Sequence, residues 1–246
     1  MIIPYWLYVA SIFALVFGFA AAGVIMIDEM RDPQHMWIMN VVWPVVALFG
    51  TVLAVWAYFR YGRRATMEAG MNAKTDAREP SGKSVTPFPV MVGKATLHCG
   101  SGCTLGDIGA EWLAFAFPAI AVWFGWHWLF SEKPFAVWVL DFIFAFVIGI
   151  AFQYFTIVPM RHLTPTEGVK AALKADALSL TAWQIGMYGF MAFANLYYFP
   201  HVFGVRLEVD SVEFWFMMQI AMLCGFFITS YPVNWWLLRS GIKEMM

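Results

Sequence analysis

Six long apolar stretches constrain the fold of this chain more than any other feature. Each is about 20 residues or longer, the length that an α-helix needs to cross the hydrocarbon core of a bilayer. They cover residues 5–27, 37–59, 108–130, 135–158, 177–199 and 214–238. No ten-residue alternation of apolar and polar residues indicates a β-barrel. The sequence therefore predicts an all-α integral membrane protein, a six-helix bundle.

The composition of the chain agrees with a membrane location. Hydrophobic residues make up 61% of the 246 residues and charged residues only 13%, whereas a soluble domain carries about 25% charged residues. No basic cluster indicates nucleic-acid binding, so the lipid bilayer is the partner that the composition predicts. The first apolar stretch begins almost at residue 1 with no charged segment before it, which predicts a membrane span and not a cleaved signal peptide.

The distribution of lysine and arginine predicts the orientation of the bundle. Twelve of the fifteen lie in residues 60–107, in residues 160–176 or after residue 238. Because cytoplasmic loops are enriched in these residues, both termini are expected to face the cytoplasm. Residues 1–59 then hold two helices and an outer loop with His and Met. Residues 60–107 form a cytoplasmic loop that begins as a flexible tether and ends in a Cys/His motif, and residues 108–246 hold four further helices.

The segment 96–107 holds the densest set of metal-binding side chains in the chain. Cys99 and Cys103 lie four residues apart, and His98 directly precedes the first of them. Thiolate and imidazole are soft ligands that bind Cu(I) and Zn(II), and the intervening glycines allow a backbone to fold closely around an ion. The sequence predicts a soft metal site formed by His98, Cys99 and Cys103. The alternative is a tight turn with free thiols, in which the glycines serve only the turn.

The same segment carries the signal of a helix start. Thr104 and Asp107 have the spacing of a capping box directly before the third apolar stretch. We therefore expect a loop seated on the N-terminus of the third helix, where the helix dipole would favour the Cys103 thiolate. A disulfide is not expected there, because the cytosol is reducing.

Three acidic residues are candidates for proton or charge coupling: Asp107, Glu111 and Asp141. Asp141 lies seven residues into the fourth apolar stretch, about 10 Å deep by helical rise. A carboxylate that faced lipid at that depth would be costly, so Asp141 is expected to face the bundle, with His127 or Gln219 as its partner. The alternatives are a helix cap for Asp107, an interfacial position for Glu111 and a structural hydrogen bond for Asp141.

Methionines and an outer histidine extend the pattern of soft ligands. Thioethers bind Cu(I) well and hard ions poorly, although most methionines simply fill apolar cores. The candidates at the outer mouth are His35, Met36 and Met39, and those inside the membrane are the two i, i+4 pairs Met187/Met191 and Met218/Met222. Each single methionine is explained by packing, and the combined pattern favours copper.

Three motifs together resemble a bacterial family of multi-span membrane proteins that carries only the label of a domain of unknown function. The motifs are His35-Met36-x-x-Met39-Asn40-x-x-Trp43-Pro44, His98-Cys99-Gly100-x-Gly102-Cys103-Thr104-Leu105-Gly106-Asp107 and Tyr231-Pro232-x-Asn234-Trp235-Trp236. The resemblance implies a multi-pass protein of the bacterial inner membrane. It implies no activity.

The residues favour a membrane protein that binds Cu(I) and transports it or hands it to a partner, such as a metal chaperone or a larger membrane complex. No ATPase motif is visible, so transport would be passive or proton-coupled, and no catalytic residues are assigned. One alternative is a redox protein that binds quinone or haem, with axial pairs formed by His98 and His162 inside and by His35 with His127 or His201 outside. Another alternative is an assembly factor or non-catalytic subunit of a larger complex.

Overall fold

The computed structural model describes residues 3–63 and 87–243. The expected flexible tether and both terminal methionines, Met1 and Met246, lie outside these residues. The helices are α1 (Tyr5–Arg31), α2 (Met39–Ala57), α3 (Phe88–Ala116), α4 (Ala119–Trp123), α5 (Lys133–Arg161), α6 (Pro165–Met191), α7 (Phe199–Phe203), α8 (Val212–Cys224) and α9 (Tyr231–Arg239). Short π-helical segments extend α2 and join α6 to α7 and α8 to α9, so the described chain forms six long helical units.

Four of these units are long and apolar enough to cross a membrane. They are Tyr5–Arg31, Met39–Gly62, Lys133–Pro159 and Val212–Arg239. The protein is therefore an all-helical membrane protein, as the sequence predicts, and the part of the chain that the structure describes contains no β-strand.

The remaining two long helices, α3 and α6, are more polar and lie between the apolar ones. Helix α3 packs against α5, α2, α6 and α9, and α6 packs against α5 and α8. Their buried faces carry nine of the 21 buried polar or charged side chains among the described residues. A capping box starts α6, in which the backbone N–H of Thr164 donates to Glu167 at 3.1 Å.

The third helix begins about twenty residues earlier than expected, at Phe88. The expected Cys/His loop is therefore wrong, and Thr104 is not a helix cap. Pro87 and Pro89 mark the true start, because proline is favoured in the first helical turn. The Thr104 hydroxyl donates to the carbonyl of Gly100 at 2.8 Å, a bond that belongs to a helix interior. At the other end, Pro118 interrupts the apolar stretch that was expected to continue to residue 130.

The glycines of this segment serve helix packing and not a metal-binding turn. Gly102 and Gly106 of α3 face Gly149 and Ala145 of α5, and a Cβ added to Gly102 would lie 2.6 Å from the Cα of Gly149. Small residues four apart on two facing helices let the backbones approach closely in membrane bundles. This contact fixes α3 against α5 and so fixes the position of every side chain along the buried face of α3.

Candidate functional site

A row of ionisable side chains runs along one buried face of α3. Cys99, Cys103, Asp107 and Glu111 follow one another at intervals of four residues, which places them on one side of a helix. The first three have no exposed surface and Glu111 is 7% exposed. Buried ionisable groups in a membrane bundle are costly and mark functional paths, so this row and its partners form the candidate site.

At one end of the row, Cys99 belongs to a cluster around a buried lysine, which we call the lysine cluster. The ammonium Nζ of Lys243 lies 2.5 Å from Oδ1 of Asp176, 2.8 Å from Sγ of Cys99 and 2.9 Å from Oδ1 of Asn234. Burial opposes the charge of Lys243, but the attraction of Asp176 and Cys99 outweighs it and raises the pKa of Lys243. Asp176 and Lys243 therefore form an ion pair without solvent contact.

The C-terminal tail brings Lys243 into the bundle. Helix α9 ends at Arg239, and Gly241 follows with a positive φ of 69°. The N–H of Gly241 donates to the carbonyl of Leu238 at 3.3 Å, and that of Ile242 donates to Leu237 at 3.1 Å. These two bonds form a Schellman motif, in which a left-handed glycine reverses the chain after a helix.

Serine and asparagine side chains complete the lysine cluster. The amide Nδ2 of Asn234 donates to Oγ of Ser179 at 2.6 Å and to the carbonyl of Ser230 at 3.0 Å. The orientation of Asn234 leaves its oxygen facing Lys243. A buried ion pair is stable only when its remaining donors and acceptors also form hydrogen bonds. This network supplies acceptors for the N–H groups of the ammonium.

Three potential metal ligands meet at the lysine cluster. One ligand atom from each of His98, Cys99 and Asp176 lies within 4.8 Å of the other two, and all three residues are buried. The Nε2 atom of His98 lies 3.0 Å from the Thr156 hydroxyl, whereas Nδ1 has no hydrogen-bond partner among the described residues. This set differs from the expected His98, Cys99 and Cys103, because Cys103 lies one helical turn further along α3 and is not part of the group.

Sequence reasoning did not single out Asp176. It lies 77 residues from Cys99 and 67 from Lys243, and it directly precedes the fifth apolar stretch, where an acid reads as an interfacial residue. The usable signal is its position on one helical face, about two turns before Gln184 and three turns before Met187. That signal alone does not identify its partners.

The three acidic candidates lie together further along the row. The amide Nε2 of Gln184 donates to Oδ1 of Asp107 at 2.8 Å. Asp141 has no exposed surface and interacts electrostatically with Glu111 and Asp107. Both oxygens of Asp141, Oδ2 of Asp107 and Oε1 of Gln184 lack a hydrogen-bond partner among the described residues. Neighbouring carboxyls can share a proton, because two adjacent buried negative charges repel each other.

The expected partners of Asp141 are wrong. His127 is exposed, and Gln219 donates instead to the carbonyl of Leu48 at 2.6 Å. Positive φ places His127 in the turn that follows α4, which carries it away from the bundle interior. The charged groups that act on Asp141 are instead two acids, Glu111 and Asp107.

A cavity of about 100 Å³ connects Glu111 with the loops at the far end of the row. Lys133, Arg206 and Glu208 also line it, so charged groups surround its mouth. Arg206 forms an ion pair with Glu132 beside it, and the hydrogen bond from Arg206 holds the pKa of Glu132 below its usual value. The row thus extends from the lysine cluster to a charged opening.

The expected methionine sites lie in different environments. Met187, Met191, Met218 and Met222 are buried in the main apolar core, and the sulfur of Met222 lies 3.7 Å from the Thr104 hydroxyl. At the expected outer mouth, His35 is exposed, and Met36 and Met39 are half-buried. A methionine relay stays a prediction.

The histidines expected to bind haem differ in burial. All five histidines are described by the structure, and His98 alone is buried. The exposed ones are His35, His127, His162 and His201. His162 ends α5 in a left-handed conformation. The haem alternative stays a prediction.

Comparison with known proteins identifies the chain at the level of its family. No curated protein and no solved structure matches it. One family matches residues 90–243, a segment that runs from the first turn of α3 to Lys243 and includes the whole candidate site. The resemblance to a family of unknown function is confirmed at this level. Because the match covers more than half of the chain, the protein belongs to the family described as Domain of unknown function (DUF4396).

Proposed function

We propose that this protein carries a metal cation across a membrane and binds it at His98, Cys99 and Asp176. The observation that supports the proposal is the meeting of an imidazole nitrogen, a thiol sulfur and a carboxylate oxygen within 4.8 Å in the bundle interior. Mixed nitrogen, sulfur and oxygen ligands suit Zn²⁺. A carboxylate is a poor ligand for Cu(I), so the substrate class moves from the Cu(I) favoured by sequence to a borderline divalent ion.

The rest of the row supplies the path and the coupling charge. Asp107 and Asp141 follow the metal site along the row. Glu111 comes next and lines the charged cavity. Carboxyls that exchange protons can balance the charge of a cation that passes them, as in proton-coupled carriers. Cys103 lies in the same row, between the metal site and the acids, where its sulfur offers a transient soft ligand.

All six long helical units cross the membrane in this proposal, with both termini on the cytoplasmic side of a bacterial inner membrane. Helices α3 and α6 have 29 and 27 residues, or about 40 Å each by helical rise, which is enough to span. The bias of lysine and arginine supports this orientation. The metal site then lies nearer the cytoplasm, and the cavity at Glu111 opens on the opposite side.

Metal binding by the purified, tag-free protein tests the proposal. We expect Zn²⁺ to bind in competition with a chromophoric chelator. Cys99→Ser or Asp176→Asn should weaken binding at least about a hundredfold, because the loss of a residue that only orients a ligand already costs about 10–100-fold. Cys103→Ser should have a smaller effect, because Cys103 is not part of the converging group.

Cys224→Ser is the matched control, since Cys224 is the third cysteine and lies half-buried at the end of α8. If Cys99→Ser binds Zn²⁺ as tightly as Cys224→Ser does, the proposed site is contradicted. A preference for Cu(I) over Zn²⁺ that depends on Cys99 and Cys103 would instead restore the ligand set that the sequence predicts.

A further inference from the structure

We propose that Lys243 is a tethered cation that occupies the metal site and leaves it when a metal ion binds. This inference rests on the proposed function, because it concerns the same His98, Cys99 and Asp176 group. The ammonium of Lys243 and the metal ion then compete for the same position.

The ammonium lies where a metal ion would have to lie. Nζ of Lys243 contacts two of the three ligand groups, at 2.5 Å from Asp176 Oδ1 and 2.8 Å from Cys99 Sγ. Bonds from Zn²⁺ to oxygen and sulfur are about 2.0–2.3 Å long. A metal ion and this ammonium would therefore overlap, and their charges would repel each other. Binding of one requires departure of the other.

The charge of the site is the same with either cation. With Lys243 present, the carboxylate of Asp176 and the ammonium balance each other, and the Cys99 thiol is neutral. With a divalent ion present, the carboxylate and a Cys99 thiolate balance its two charges, the thiol proton passes to water and the ammonium moves to solvent. Neither state leaves an uncompensated buried charge, which would cost several kcal/mol.

The tail is built so that Lys243 can leave without unwinding a membrane helix. Only the residues after Arg239 need to move. Their backbone N–H groups donate to the last carbonyls of α9, and the contacts that tie them to the other helices are those of the Lys243 ammonium. Ser240 and Gly241 are exposed and Ile242 is half-buried, so Lys243 is the one fully buried side chain among residues 240–243. Segments with few buried apolar contacts open at low free-energy cost, so the main cost of opening is the loss of the Lys243 ion pair.

Substitution of the lysine tests the competition. Lys243→Leu should bind Zn²⁺ about tenfold more tightly or better than the wild type, because apparent affinity rises when the site is no longer occupied for most of the time. Leucine is chosen over methionine, since a thioether would add a ligand. Lys174→Leu is the matched control, because Lys174 is exposed on α6 two residues from Asp176, and it should bind as the wild type does.

A second measurement uses the wild-type chain and does not depend on the folding of a variant. An amine-acetylating reagent followed by peptide mass spectrometry reports whether Lys243 is accessible. Zn²⁺ should increase acetylation of Lys243 in the wild type but not in Cys99→Ser, and acetylation of Lys174 should not change.

The outcomes separate the two proposals. If the wild type binds Zn²⁺ through Cys99 and Asp176 while Lys243 stays protected and Lys243→Leu binds no more tightly, the tethered-cation proposal is overturned and the metal site stands. If neither the wild type nor Lys243→Leu binds metal, the proposed function fails and this inference fails with it. Zn²⁺ binding that appears only in Lys243→Leu contradicts both, because the wild type then neither binds the metal nor exchanges Lys243 for it.

Discussion

At the scale of single residues, the bundle interior holds two kinds of buried charge. Asp176 has a positive partner in Lys243. The charged groups that act on Asp141 are the acids Glu111 and Asp107, and its two oxygens have no hydrogen-bond partner among the described residues. A paired acid is stable as an ion, but an acid among acids is stable only while protons neutralise part of the group. In the proposed carrier the two sites therefore differ in chemistry: one binds the cation, and the other exchanges protons.

Asp141→Asn separates the proton-holding role from a structural one. Asparagine keeps the size and hydrogen-bonding capacity of the side chain but cannot exchange a proton, so the variant should fold and carry metal roughly a hundredfold more slowly, the usual worth of a positioned proton-transfer group. Uptake of Zn²⁺ into proteoliposomes that contain metal-sensitive and pH-sensitive dyes measures this rate.

The exposed acid Asp210 supplies the control. Asp210→Asn should carry Zn²⁺ at the same rate as the wild type. Full activity of Asp141→Asn combined with unfolding of Asp141→Ala would show that Asp141 is a hydrogen-bonding strut.

At the scale of elements, the helices that face lipid could be predicted from the sequence and the inner ones only in part. The fourth stretch, expected at 135–158, is α5 (Lys133–Arg161), because its apolar side chains give a continuous hydropathy signal. The sequence predicts the start of α3 about twenty residues too late, because Thr96, His98 and Ser101 lower the hydropathy although they are buried in the protein. Partners far apart in sequence, such as Asp176 and Lys243, leave no local pattern.

Two glycines of α3 provide a matched test of its packing on α5. A Cβ at Gly106 would overlap the backbone of Ala145, whereas a Cβ at Gly109 would meet nothing within 4 Å. Gly106→Ala should destabilise the protein by about 1–3 kcal/mol through overpacking. Gly109→Ala should stabilise it by about 0.5–1 kcal/mol, because alanine restricts the unfolded chain.

The thermal unfolding midpoint in detergent compares the two variants. An equal upward shift for both would mean that α3 and α5 do not touch at Gly106.

At the scale of the whole molecule, the proposed orientation places the two ends of the polar row on opposite sides of the membrane. We expect a cysteine introduced at Asp210, in the loop before α8, to react with a membrane-impermeant maleimide in intact cells. A cysteine introduced at Lys174 should react only after the cells are opened. Both positions are exposed, so neither should be protected by burial. The reverse pattern would invert the topology and place the lysine cluster on the outer side.

The polarity of the two inner helices also bears on how the bundle is assembled. Helices α3 and α6 are absent from the set that is apolar enough to span by itself, and a carboxylic acid in contact with lipid tails is unfavourable. Neither helix is therefore expected to be stable in the bilayer before its neighbours have inserted. The close α3–α5 contact at Gly102 and Gly106 supplies a route in which the two helices enter the membrane together as a hairpin, with the acids of α3 already covered. A defect in that contact would then appear first as failed insertion during synthesis, before any loss of transport.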